Sequence, residues 1–329
     1  MDAQTKVMAQ KQEYPSVNKL AEPLVRSLKE DVDSLRLSVS RLENGTAIVD
    51  AGINSPGGLE AGCRIAEICM GGLGNVTLRS TTNLLDNWSW HVDVHSSHSV
   101  IACLASQYAG WNLTSGDFNA LGSGPGRAMG SNEPLFEELN YKDKTDTACL
   151  VIESDVMPPI EVAENIAEHC DISPNRLTLI MTPTSSLSGC VQIVSRVLET
   201  ALHKVHALEF DVMNVTDGAG SAPICPPSPD FMTAMGRTND AILFAGQVHL
   251  YIDANDSDTE QLANQLPSST SKDYGKPFGE IFKDVNYDFY KIDPLLFSPA
   301  RVSVTSIKTG KTFHAGKLDK DLLNKSFSS

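Results

Sequence analysis

Residues 177–206 read LTLIMTPTSSLSGCVQIVSRVLETALHKVH. Leu177 to Met181 is a short apolar run of the kind that forms a buried strand. Thr182-Pro183-Thr184-Ser185-Ser186 then breaks the chain with turn and helix-start residues. From there a helix is expected to about His206. Leu187, Val191, Val194, Leu198, Ala201, Leu202 and Val205 fall within about one third of the helical circumference. Arg196 and Glu199, three residues apart, sit on the opposite polar face with Gln192 and His203 nearby. A strand that turns into an amphipathic helix is the unit of layered α/β structure.

On either side of this stretch the same alternation recurs but is interrupted. A helical period spans 15–35, and Leu35 to Val39 and Thr46 to Val49 read as strands joined by Glu43-Asn44-Gly45. A helix is expected from about Leu59 to Met70, after Pro56-Gly57-Gly58, and a strand over Asn75 to Leu78. Residues 99–109 read as helical, 115–130 as a Gly-rich loop, Ala148 to Glu153 as a strand, Pro159 to His169 as a helix and Ala241 to Ile252 as a strand. Hairpins and Gly/Pro loops break the βα rhythm, so the expected class is α+β, with mixed α/β layers, and not a Rossmann fold. The expected division is a polar N-terminal tail (1–14), an N-terminal α/β portion (15–145) and a C-terminal α/β portion (146–329). The polar stretch Asp253 to Tyr274 reads as a solvated excursion.

The 329 residues carry 26 Lys+Arg against 41 Asp+Glu, a formal charge of -15. Such acidity argues against binding a phosphate backbone or an anionic membrane, and is best read as solubility. The first residues lack the apolar core of a signal peptide, and no run of ~18 apolar residues occurs. The 7 cysteines are dispersed with no C-x-x-C pair, which suggests reduced thiols and a cytoplasmic protein.

Several motifs invite a sharper reading. Gly122-Ser123-Gly124-Pro125-Gly126-Arg127 lets a backbone approach an anion closely, or is simply a tight turn; it has neither Rossmann nor Walker A spacing. His91, His95 and His98 suggest a zinc triad, but their spacing is loose and packing histidines have the same pattern. Arg196 and Glu199 read as a solvated i,i+3 pair or as a guanidinium positioning a general base. Glu153 ends a strand. Glu60 starts a helix, where a carboxylate favours the positive end of the dipole. Asp217 to Pro227 is a long, nearly side-chain-free loop of the kind often used functionally.

Together these segments resemble the methenyltetrahydromethanopterin cyclohydrolase family. The resemblance rests on Leu42–Gly62, Cys69–Gly74, Ala105–Trp111, Gly122–Pro125, Pro183–Gln192, Ala234–Asp240, Ile292–Ala300 and Thr309–Gly316, in order along nearly the whole chain. It implies an enzyme that adds water reversibly to the methenyl bridge of 5,10-methenyl-tetrahydromethanopterin, giving the 5-formyl derivative. It implies no metal and no redox cofactor, the tetrahydromethanopterin or its dephospho form being the substrate. It also implies a homotrimer whose two α/β portions enclose a pterin pocket in each subunit. The family's catalytic Arg-x-x-Glu falls on Arg196 and Glu199, and Glu153 matches a carboxylate lining the pterin pocket. Glu60, Tyr108, Ser123, Gly124, Arg127 and Ser186 lie in matching words and become candidate substrate-binding residues.

The chemistry suits these residues. A methenyl bridge is a delocalised amidinium cation, already electrophilic at carbon. It needs a water held on one face and a base to take its proton as the tetrahedral carbinol forms. Two other readings stay open at this stage: a zinc-dependent amidohydrolase or deaminase built on His91, His95 and His98, and a non-catalytic pterin-binding protein.

Overall fold

The computed structural model describes residues 14–81, 85 and 87–328, so the polar tail lies outside the described residues except for Tyr14. Among the described residues, twelve strands form two mixed six-stranded sheets. The first sheet contains β1 (Ser38–Arg41), β2 (Ala47–Asp50), β5 (Trp111–Ser115), β6 (Phe118–Ser123), β7 (Ala148–Ile152) and β8 (Leu177–Met181). The second contains β3 (Asn75–Ser80), β4 (Trp90–Ser96), β9 (Val215–Pro223), β10 (Gln247–Ile252), β11 (Arg301–Ser306) and β12 (Thr312–Gly316). Their orders are β1-β2-β8-β7-β6-β5 and β12-β11-β10-β9-β4-β3. Both sheets draw strands from either side of residue 145, so each layer is assembled from both halves of the chain.

In the first sheet β2, β8 and β7 run parallel. Strands of this kind are covered on both faces and therefore read as continuous apolar runs. Alternate residues serve opposite cores. Leu177, Leu179 and Met181 pack beneath the helix Ile160–His169, whereas Ile180 packs beneath Val17–Glu30 and Leu59–Cys69. The second sheet buries mainly one face. Val92, Val94, Val248, Leu250, Val302 and Val304 form the main core with the helix Val197–Ala207, while His95, Thr77, Arg79 and His314 face outward and are exposed.

Five expectations change. The helix expected from Ser186 to His206 is two helices, Leu187–Val194 and Val197–Ala207. Ser195 donates its hydroxyl to the Gln192 carbonyl at 2.7 Å, and Arg196, at φ -76 and ψ 5, turns the chain. Local side-chain bonding of this type competes with the helical ladder.

Residues 217–223 are not a loop but part of β9. Gly218 and Gly220 let the helix Val197–Ala207 lie close to the sheet: a Cβ at 220 would come 2.9 Å from Val197 Cγ1. Glycines in this strand therefore mark helix-to-sheet contact. Residues 115–130 contain the β5–β6 hairpin, turned at Gly116 with φ +55, and a short helix, Arg127–Gly130.

The apolar stretch 241–252 divides into the end of the helix Phe231–Ala245 and strand β10. An apolar run of this length does not by itself distinguish helix from strand. The Asp230 cap, accepting the Thr233 N–H at 2.8 Å, decides for helix at its start. Finally, 253–274 is a docked segment carrying the helix Asp256–Gln265. Lys204, fully buried, ties it down by donating to Pro267 O at 2.8 Å and Thr270 Oγ1 at 2.9 Å.

Candidate active site

The site lies where the carboxyl ends of β7 and β8 meet the break between helices Leu187–Val194 and Val197–Ala207. Open α/β sheets commonly place ligands at this edge. Glu153 follows β7, and Thr184 donates its hydroxyl to Glu153 Oε1. Ser123 ends β6, donates to Val151 O at 3.0 Å and accepts from Arg196 Nη2 at 2.9 Å. Across from them, residues 101–107 form a π-helix. A helix end leaves carbonyls without intrahelical partners, and here two guanidiniums take them. Arg196 Nη1 donates to Gln107 O at 2.5 Å, and Arg127 Nη1 donates to Leu104 O and Ser106 O at 3.1 and 3.2 Å.

Arg196 is thus locked from several sides, its Nη2 also reaching Gln192 Oε1 at 3.3 Å and Cys69 Sγ at 3.6 Å. Arg196 and Glu199 are 8% and 5% exposed, so they are an enclosed pair and not the solvated face that helical periodicity suggested. No direct ion pair joins them among the described residues. Glu199 has no hydrogen-bond partner there, and Arg196 Nε and both ends of the buried Gln107 amide are also unpartnered. Buried polar groups normally have partners; several without one, gathered at a single place, fit a polar ligand or an ordered water.

Burial pushes the Glu199 carboxyl up to about 7, with the Arg196 and Arg127 charges pulling the other way. Glu153 is likewise pushed up to about 7 by burial, with Arg196 opposing. A carboxyl that titrates near neutrality is suited to exchange protons with a reacting group.

The other sequence candidates take different positions. Tyr108 is half-buried and stacks on His203 at 4.9 Å between ring centroids, with the Arg127 guanidinium 5.1 Å from its ring. Arg127 itself is fully enclosed. It grips Glu133 through both carboxylate oxygens at 2.8 and 2.7 Å, so it supports the site from behind. Gly124, at φ +98, turns the chain after β6 and donates its N–H to Ser106 O at 2.8 Å. The hydroxyl of Ser186 caps its helix at Gly189 N (2.9 Å) and donates to Pro183 O at 2.8 Å. Glu60 does not join the cluster: it is exposed and pairs with Arg64 at 2.8 Å. His91 is fully buried near Ser221, whereas His95 and His98 are exposed. No three His, Cys, Asp or Glu side chains among the described residues gather as a metal site.

Gln192, expected beside Arg196 and Glu199, completes the cluster with Cys69 and Gln107, which were not singled out from sequence. The available signal was an amide closing the apolar run Ile101 to Ser106, a poor place for a group unless it has a task.

A sequence-family profile described as "Cyclohydrolase (MCH)" matches residues 16–327. The chain belongs to the methenyltetrahydromethanopterin cyclohydrolase family. It is 56% identical over 314 residues to the protein of that name from Methylobacillus flagellatus, covering 95% of this chain and 96% of the relative. It is 57% identical over 305 residues to that of Xanthobacter autotrophicus, covering 93% and 90%. The similarity extends to Methanothermobacter marburgensis at 43% over 316 residues, covering 95% and 99%. Membership in this cyclohydrolase family supports the hydration reading and lends nothing to the zinc hydrolase one.

Proposed function

We propose that the chain is a methenyltetrahydromethanopterin cyclohydrolase with Glu199 as general base and Arg196 as its positioning partner. The observation that carries this reading is the open acceptor: a buried carboxyl near neutrality, beside a locked guanidinium, with no protein group bonded to it. A water bound there attacks the bridging carbon of the amidinium cation. Its oxygen bonds to carbon, and Glu199 takes one proton as the carbinol forms. The carbon–nitrogen bond on the far side of the bridge then breaks. The departing nitrogen takes the second proton, which leaves a formyl group on the pterin nitrogen. The reaction is redox neutral and asks for no electron acceptor.

A nearby carboxylate also stabilises the cationic ground state. Catalysis therefore requires Glu199 to interact more strongly as the proton leaves the water than before. Glu153 and the Tyr108–His203 stack supply a polar and an aromatic surface for the fused pterin rings of the substrate. The proposal includes a cytoplasmic location, read from the dispersed cysteines, and a homotrimer, read from the family resemblance; a sedimentation mass of one chain would contradict the trimer.

Mixing the protein with methenyl-tetrahydromethanopterin should abolish the near-ultraviolet absorbance of the bridge, with methenyl-tetrahydrofolate in parallel to test carrier choice. Glu199 must be ionised to accept the proton, so the hydration rate should rise tenfold per pH unit below about 7 and level off above it. Absorbance that persists with both carriers overturns the reading.

A further inference from the structure

A pocket of about 180 Å³ opens at the end of the first sheet opposite Glu153. Ala47, Ala148 and Thr178 in its wall stand at the amino ends of β2, β7 and β8, whereas Glu153 lies beyond the carboxyl end of β7. Its lining includes Arg26, Lys29, Arg41 and Arg176 against one acid, Glu22. In a chain with 26 basic and 41 acidic residues this is a local reversal of sign.

The convergence is built by the fold. The helix Val17–Glu30 presents Glu22, Arg26 and Lys29 along one face, β1 ends at Arg41, and the turn Pro174–Arg176 leads into β8. The cations are only partly satisfied. Arg26 reaches Glu22 at 3.9 Å, Arg41 donates to Gly45 O at 2.7 Å and Arg176 pairs with Asp146. Lys29 has no hydrogen bond or ion pair among the described residues, and its charge acts on the thiol of Cys149 in the pocket wall.

We propose that this pocket binds a small phosphate-bearing anion. Three guanidinium forks match tetrahedral oxyanion geometry, and Lys29 adds a mobile point charge. The volume is below the roughly 300–1,000 Å³ of pockets that enclose drug-sized molecules. It admits inorganic phosphate, pyrophosphate or the phosphoryl end of a larger ester. The placement makes this site separate from hydration at Glu199.

Calorimetric titration tests the assignment with three probes: phosphate, pyrophosphate and ribose 5-phosphate, at an ionic strength fixed with sodium chloride. Saturable binding of at least one probe is expected, with Kd below about 1 mM. R26Q/K29Q should weaken it by about tenfold or more, the size of a lost charge-assisted hydrogen bond. Turnover of the methenyl substrate should not change. Tighter binding of pyrophosphate than of the ester identifies a free anion, and the reverse order a phosphoester. Should R26Q/K29Q melt abnormally, R41Q/R176Q replaces it. Absence of saturation with all three probes overturns the proposal, as does equal affinity in a well-folded variant. Neither result depends on whether the chain is a cyclohydrolase.

Discussion

Glu199→Gln is expected to lower turnover by about 10²- to 10⁴-fold, the usual worth of a positioned general base, while making the folded protein more stable at pH 8. The two effects share one cause. Burial raises the Glu199 carboxyl from its ordinary 4.5 to about 7. A group with a raised folded pKa stabilises the fold fully below its unfolded value, and that contribution is lost as pH rises through the folded one. At pH 8 the wild-type chain must keep an ionised carboxylate in an enclosed site, whereas the unfolded chain holds it in water. The difference between 4.5 and about 7 corresponds to roughly 3 kcal/mol. Glutamine keeps the shape and removes the charge. Urea denaturation should show the gain at pH 8 and its disappearance near pH 4.5, with single-turnover absorbance decay reporting the loss of rate. Nearly full turnover would remove Glu199 from the base role. Unchanged stability at pH 8 would mean that the carboxylate is solvated.

The strand–turn–helix at 177–206 was legible because periodicity and turn chemistry agree there, and it placed both catalytic candidates on one element. Its break at Ser195-Arg196 was not legible. Nothing in that stretch is a strong helix breaker, and the turn follows from Ser195 bonding to Gln192 O and from Arg196 being drawn to the Gln107 carbonyl. Burial of the pair was equally hidden. A polar helical face reads as solvated unless the chain is known to supply a second polar wall, and that wall comes from Gln107 and Ser123, 89 and 73 residues from Arg196. Gly218 and Gly220 failed for a related reason. Glycine is disfavoured in strands, and only the approaching helix, distant in the chain, makes its small size an advantage. Local pattern therefore set the elements, whereas long-range contact decided which polar residues gather at the candidate site.

Arg127→Met should destabilise the protein by about 3–5 kcal/mol, the cost typical of breaking a buried ion pair by removing one partner. The guanidinium is fully enclosed and bonds Glu133, Leu104 O and Ser106 O, so its loss removes the counter-charge of a partly buried carboxylate and one donor from each of two carbonyls. Adding Glu133→Gln should recover part of the loss, because the stranded charge is then gone, and a denaturation cycle over the four proteins measures that coupling. A second consequence separates this residue from an ordinary structural arginine. Arg127 is one of the two cations that hold the Glu199 carboxyl down against desolvation. Without it that carboxyl should titrate at still higher pH, so the rising limb of the pH–rate profile should move upward from about 7. KM should increase as well, since the guanidinium also backs the Tyr108 ring. A profile that stays in place while stability falls would limit Arg127 to the fold. A displaced profile makes it a positioning residue acting on the base through charge, without touching the substrate.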